Sequence, residues 1–335
     1  MAKFLGDQSQ TSMFYESGTY ASTSGVAHWF GGVTSHEADE SMGVISQRYV
    51  GQLDRNVSQF LDGPQTFNNT LTMQVQDFRF MKFVLGSAVD GGSPTPYLHN
   101  YAETNNNAQT LEVPNTSLPS FTIEDAQRGP TTGSNFIRTF KGGMVDTLTL
   151  TIAEREPVVA ELGYAAQSVT FGSGAISSVT QDTTRPYMWR DVNLHLTSGN
   201  VIPNVKEIVV EVANNLDQPH YVDGNRTIGT PLPTMRDYTI TLTLNADDTN
   251  HPTTKAWYDQ YFIGGSQFNM LLDMSITAAT EQGIWTFSGC KIEDMTAPSP
   301  NEGVNEQTIV IRPTSSSFIE HNNIQYINGW SGAGL

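Results

Sequence analysis

The 335-residue chain has one cysteine, only six lysines, and no apolar run near the roughly 18 to 20 residues that cross a bilayer as a helix. A single thiol, Cys290, excludes an internal disulfide framework and any cysteine-based zinc site. It sits in the strand-like run TFSGCKIEDM, where a small, inert core thiol is the ordinary account. The start, MAKFLGDQSQ, turns polar at once and has no apolar stretch of the secretory kind, so synthesis in the cytoplasm is expected. Basic charge is also scarce: 17 Lys and Arg stand against 34 Asp and Glu, a net charge of -17 with pI near 4.6. Tight binding of nucleic acid through its phosphates needs a basic patch, which this balance argues against. Such acidity suits a soluble surface, or one that nucleic acid passes without sticking.

Catalytic signatures are lacking too. No GxSxG, P-loop or dinucleotide fingerprint occurs. The fragment Ser35–Glu40 (SHEADE) has the first His and Glu of a zinc motif, but the second His would fall at position 40, which is Glu; a solvated acidic turn is expected instead. Asp247-Asp248-Thr249-Asn250 lacks the glycine and distant Glu of a calcium loop and reads as a helix cap. The seven histidines (His28, His36, His99, His195, His220, His251, His321) contain no i, i+4 pair. Sequons at Asn56, Asn68, Asn115 and Asn225 matter only on a secreted chain. No residues are found on which to build an enzyme, a metal site or a cofactor site.

What is abundant is β texture: Thr, Val, Ile and aromatics in short alternating runs broken by Gly, Pro, Asn and Asp. In Tyr238–Leu244 (YTITLTL), Tyr238, Ile240, Leu242 and Leu244 share one face and threonines the other, the pattern of a half-buried strand. Thr70–Val75, Thr147–Ile152 and Ile208–Val212 behave similarly. Two helices are expected. Asp248–Ile263 has Thr249 or Asn250 to cap it, Pro252 in its first turn, an apolar face of Trp257, Tyr261 and Phe262, and Gly264-Gly265 to end it. The shorter Asp77–Leu85 closes with Gly86.

The surroundings of these two helices repeat. A strand, a helix, a Gly, a second strand, an aromatic-rich piece ending in Gly and a hydrophobic strand occur twice in the same order. Ile137–Gly142 (IRTFKG) and Ile284–Gly289 (IWTFSG) align residue for residue. The expected organisation is an N-terminal arm (1–28), a β domain (29–171), a Gly/Ser/Thr-rich linker (172–185), a sibling β domain (186–318) and a C-terminal tail (319–335). Gly86–Leu118 and Asn214–Thr234 read as long outward loops with a job, and the chain ends as arms that order on assembly.

Taken together, the pieces resemble the tail tube proteins of tailed bacterial and archaeal viruses. The resemblance is carried by Asn204–Leu216 with its long loop and Arg236–Leu244, by Leu118–Glu124 leading to Phe140–Leu150, and by Pro186–Asp191. It covers most of residues 30–318 and rests on texture and element order. It implies a mainly β protein of two tandem β-sandwich or barrel-like domains, each with one flanking helix. It further implies self-assembly into stacked rings, three chains giving pseudo-sixfold symmetry, around a channel for viral DNA. Tape-measure, terminator and baseplate proteins would be the other partners, with no membrane and no cofactor, and the virion tail would be its location. Under this resemblance Thr147, Thr149, Thr151, Thr239, Thr241 and Thr243 are expected to face the lumen. Asn214, Asn215, Asp217, His220, Tyr221, Asp223 and Arg226 are expected in a loop reaching the adjacent ring. The alternatives are another virion ring or decoration protein, or a sugar-binding adhesin using Trp29, Trp189, Trp257, Trp285 and Trp330 as platforms.

Overall fold

The computed structural model describes residues 9–16, 20–23, 25–50, 56–91, 97–103, 118–129, 134–196, 201–246, 254–262, 266–277, 280–297 and 305–322. The chain is mainly β. Its first half runs β1 (Ser9–Tyr15), β2 (Gly32–Ser41), β3 (Val44–Gln47), β4 (Gln59–Asp62), β5 (Thr66–Gln74), α1 (Met81–Leu85), β6 (Gly86–Gly91), β7 (Tyr97–Glu103), β8 (Phe121–Gln127), β9 (Phe136–Ala153), β10 (Val159–Ala166) and β11 (Ser168–Gly172). Its second half runs β12 (Val192–Leu196), β13 (Val205–Ala213), β14 (Leu216–Asp217), β15 (Leu232–Pro233), β16 (Asp237–Asn245), α2 (Thr254–Phe262), β17 (Phe268–Thr277), β18 (Glu281–Thr296), β19 (Glu306–Arg312) and β20 (Ser315–Asn322).

Eight strands form one continuous antiparallel sheet in the order β2-β5-β10-β9-β13-β16-β19-β18. Behind it lie two more layers, β1-β8-β9-β11 and β12-β17-β18-β20-β7-β6. β9 and β18 are long because each runs through two layers. Each turns at a glycine held at positive φ, Gly142 (+68°) and Gly289 (+61°), a conformation that disfavours a Cβ. The sequence pieces expected as separate strands on either side of these glycines are therefore single bent strands. Alternation does the rest: Leu148, Leu150 and Ile152 on β9, Val210 and Val212 on β13, and Ile240 and Leu242 on β16 point into the core, and all are buried.

Pairing repeats between the halves. β1, β2, β5, β8, β9, β10 and β11 have the same neighbours as β12, β13, β16, β17, β18, β19 and β20. A constant shift of 147 positions carries the β8–β9 and β9–β11 pairs, and the β9–β10 pairs from Glu161 to Ala165, onto pairs of the second half, as in Gly163↔Thr147 and Val310↔Asp294. Even the irregularities coincide, since Asp146 and Glu293 each bulge out of register. The two helices pack alike, Phe83 edge-on to Phe121 and Trp257 edge-on to Phe268.

The halves are also interlocked. The β6–β7 hairpin, expected as part of an outward loop, pairs with β20 of the second half. Phe78 packs at a tilt against Tyr187 and Phe318 and lies where a Cβ on Gly283 would come within 2.4 Å of its ring. Glu320, 1% exposed, accepts from the Phe78 amide (3.1 Å) and the Tyr101 hydroxyl (2.6 Å). The expected Asp77–Leu85 helix begins only at Met81. Asp77 accepts from the amide and Nε of Arg79, a local turn that competes with the first helical turn. The first described part of the expected N-terminal arm is β1, with Met13 fully buried, and β20 runs past 318 into the expected tail. Helix α2 is Thr254–Phe262; its expected cap and the Asp247–Asn250 cluster lie outside the described residues.

Candidate functional site

The outward face of the eight-stranded sheet carries residues that its core face does not. Strand alternation puts Thr147, Thr149 and Thr151 on that face, and likewise Thr239, Thr241 and Thr243. Register brings the two sets together across β13. One row reads Ser35–Thr72–Glu161–Thr149–Glu211–Thr239. The next reads Gln74–Val159–Thr151–Val209–Thr241–Val310–Asp294. The others include Glu37–Thr70–Gly163–Thr147 and Glu207–Thr243–Thr308–Thr296. The carboxylates of Glu37, Asp39, Glu161, Glu207, Glu211 and Asp294 share this face, and the cation of Arg312 is taken by Glu293 at 2.6 Å. Against these carboxylates stand the cations of Arg312 and Lys291, opposite one another in register, so the wall is hydroxyl-rich and net acidic and repels anions.

This sheet ends in two strands whose outer sides have no partner among the described residues, β2 at one edge and residues 291–296 of β18 at the other. An open edge is a template for another strand. The acidic turn expected at Ser35–Glu40 is instead part of strand β2, whose outward side is polar (Ser35, Glu37, Asp39, Ser41) and carries no hydrophobic period. In a strand, His36 points inward and Glu37 outward, so the two cannot converge on one ion. His36 instead sits in a buried network: its Nε2 is 2.8 Å from the Tyr164 hydroxyl and its Nδ1 3.5 Å from Asp125. Arg138 binds Asp125 at 2.5 Å and reaches Glu40 at 3.4 Å. Burial alone would raise the Asp125 pKa, but the nearby His36 ring and the hydrogen bonds and charge of Arg138 outweigh it and hold the carboxyl below its ordinary range. Among the described residues no group of three or more His, Cys, Asp or Glu is placed to hold a metal. Cys290 is buried, which pushes its thiol up to about 11.

The segment 214–234 folds back on the first half. Asn214 is 1% exposed: its side-chain amide donates to the carbonyls of Val84 and Val145, and its Oδ1 accepts from Arg236. It is thus a bracket between the halves, unavailable for contact with another molecule. Asn215 donates to the Met235 carbonyl and to Asp237, and Arg226 is spent on the carbonyls of Gly63 and Met42 and on Asp62. Asp217 lies in the β14–β15 ladder, and His220 Nε2 is 3.4 Å from the Gln65 carbonyl. At the tip, Tyr221, Val222 and Asp223 are exposed, with the Asp223 carboxyl held low by the Asn225 amide. The surface it braces was missed in the sequence: the β3–β4 hairpin exposes Val44, Ile45, Phe60 and Leu61. Its strands are four residues each, too short for alternation to register, although two apolar pairs (VI and FL) are visible within them. Of the tryptophans, Trp257 and Trp285 are core, Trp29 is half-buried with its Nε1 donating to Gln76 at 3.0 Å, and Trp189 is 43% exposed; Trp330 lies outside the described residues.

A family model described as phage tail tube protein matches residues 18–313. No curated protein sequence matches the chain. Among solved structures, the SPP1 tail tube, determined by solid-state NMR and cryo-EM, is similar over 41% of this chain and 81% of its own, with 14% identity and a TM-score of 0.34. The cap that terminates the anti-feeding prophage tube is similar over 43% of this chain and 97% of its own, with 19% identity and a TM-score of 0.31.

Proposed function

The chain belongs to the phage tail tube protein family and is a structural component of the virion tail, and on that premise we propose that it builds the tube as stacked rings of three copies. In this reading each copy contributes two tandem, related tube domains, so a ring has six similar units. The observation that carries it is the eight-stranded sheet, whose two edge strands have no partner on their outer sides among the described residues. Such edges aggregate unless blunted, whereas a closed ring pairs every one of them.

Sheet geometry is compatible with the number three. Eight strands at about 4.8 Å spacing span about 38 Å of arc, so three copies of untilted strands close at a backbone diameter of about 37 Å, and the tilt of strands in a closed sheet widens this further. Side chains of about 5 Å on each wall then leave room for a nucleic-acid duplex. With the core face of the sheet filled by Leu, Val and Ile, the face left for the channel is the threonine and carboxylate wall. Its like charge keeps DNA phosphates off the surface and lets the duplex slide. At the rim, the β3–β4 hairpin with Val44, Ile45, Phe60 and Leu61, braced by 214–234, is the apolar surface suited to the next ring. Tape-measure, terminator and baseplate proteins would meet the tube from within and at its ends.

Negative-stain electron microscopy of purified protein across a concentration series tests this reading. Hollow tubes or stacked rings are expected as concentration rises. Monodisperse single chains at every concentration and salt level would overturn it.

A further inference from the structure

The joint between the two halves of one chain is a seven-pair antiparallel ladder of β9 with β13, from Thr147↔Ala213 to Ala153↔Glu207. β18 stands to β19 as β9 stands to β10, shifted by 147 positions with the same bulge. β2 stands to β5 as β13 stands to β16: His36↔Leu71 matches Ile208↔Leu242, and Thr34 and Lys206 are the residues skipped in each register. The chain thus holds one completed joint and, at its two open edges, the separate parts of a second.

We propose that copies join in the register that joins the halves, with β18 of one copy antiparallel to β2 of the next and Thr296 opposite Asp39. This rests on the ring reading above and adds to it the partner strand and the register. Carrying the internal pairs over gives Ala297↔Ala38, Thr296↔Asp39, Met295↔Glu40 and Asp294↔Ser41. The ladder is short because positions 298 and 300 are prolines, which have no N–H to donate. It is also poorer than its template. The buried pairs Leu148↔Val212 and Leu150↔Val210 become Met295↔Glu40 and Ala297↔Ala38. On the channel face Asp294 becomes a diagonal neighbour of Asp39 at about 7 Å, with Glu37 one step beyond, so like charges oppose closure. The internal joint has no such pair. Halves therefore stay together while copies associate reversibly, and closure gains from salt, which shortens the screening length from about 10 Å at 0.1 M to about 3 Å at 1 M.

Register is read by disulfide trapping. In a Cys290→Ala background, Thr296→Cys is combined in turn with Glu37→Cys, Asp39→Cys and Ser41→Cys, and assembled material is mildly oxidised. All three partner positions lie on one face of β2, so they differ only by two-residue slips. The expected result is a ladder of linked chains ending at three, with a yield at Asp39→Cys at least tenfold above the other two. Tubes that form but link best through position 37 or 41, or through none of the three, overturn the register and leave the ring reading standing. Folded variants and parent that form no tubes and no linked chains overturn both.

Discussion

The two halves reach one topology with different interiors. In the first, His36, Asp125, Arg138 and Tyr164 form a polar network under the sheet. By the pairing correspondence their counterparts in the second half are Ile208, Leu272, Trp285 and Ile311, all buried and all apolar. Glu40, which Arg138 also reaches, corresponds to Val212. The fold therefore does not need the network. Ion pairs removed from water recover little net stability, and an apolar set of similar volume often does as well or better. What distinguishes the first half is where the network sits, beneath β2, the open edge. The second half has its β13 already paired with β9 and keeps an oil-like core there. The halves differ at the back as well: β20 is covered by β7, while among the described residues no strand lies beside the outer side of β11.

The largest change should come from unlocking the halves. Phe78→Ala empties the space between Gly283, Tyr187 and Phe318, and should cost about 3–5 kcal/mol in denaturant unfolding. A loss below about 1 kcal/mol would show that the interlock is not a source of stability. Next is the network itself. Asp125→Asn leaves Arg138 with only the longer Glu40 contact at 3.4 Å and should cost about 2 kcal/mol. Replacing His36, Asp125, Arg138 and Tyr164 together by their second-half counterparts should restore at least half of that, and a quadruple variant weaker than the single would refute the equivalence of the two interiors. The pH dependence follows in sign. The Asp125 carboxyl is held below its ordinary value of 3.8, so its contribution is present above that value and lost as pH falls through the lower folded one. Asp125→Asn should flatten this acid limb, with no matching effect from position 272, which is Leu. The smallest effect concerns the open edge. Asp39→Asn removes one member of the proposed repulsive pair and should lower the protein concentration needed for assembly severalfold at 0.1 M salt, with the difference shrinking at 1 M, as followed by light scattering. An equal gain at both salts would point away from charge repulsion.

The sequence carried these two regions unequally. The half-buried strands β5, β13 and β16 and the later part of β9 were legible because apolar and Thr residues alternate cleanly in them, and the IRTFKG and IWTFSG pieces marked equivalent bends. The shared face of the six threonines followed from the same alternation, once register placed β13 between the two sets. β2 was not legible, because an edge strand with Glu and Asp outward and His36 and Glu40 inward has little hydrophobic period to detect. The β6–β7 hairpin was hidden by Gly, Pro and Asn around it, and its pairing with β20 is a contact between residues more than 200 positions apart in sequence, which no local pattern encodes. The loop at 214–234 looks free in the sequence for the same reason: the carbonyls that hold the Asn214 amide and the Arg226 guanidinium are in the other half.

Cryo-electron microscopy of tubes, averaged without imposed symmetry, tests the central claim most directly. Three copies with two related but unequal halves should give a ring of six lobes that alternate in shape, because only every second lobe carries the β6–β7 hairpin beside its rear sheet. Six identical lobes, each one whole chain, would contradict the account.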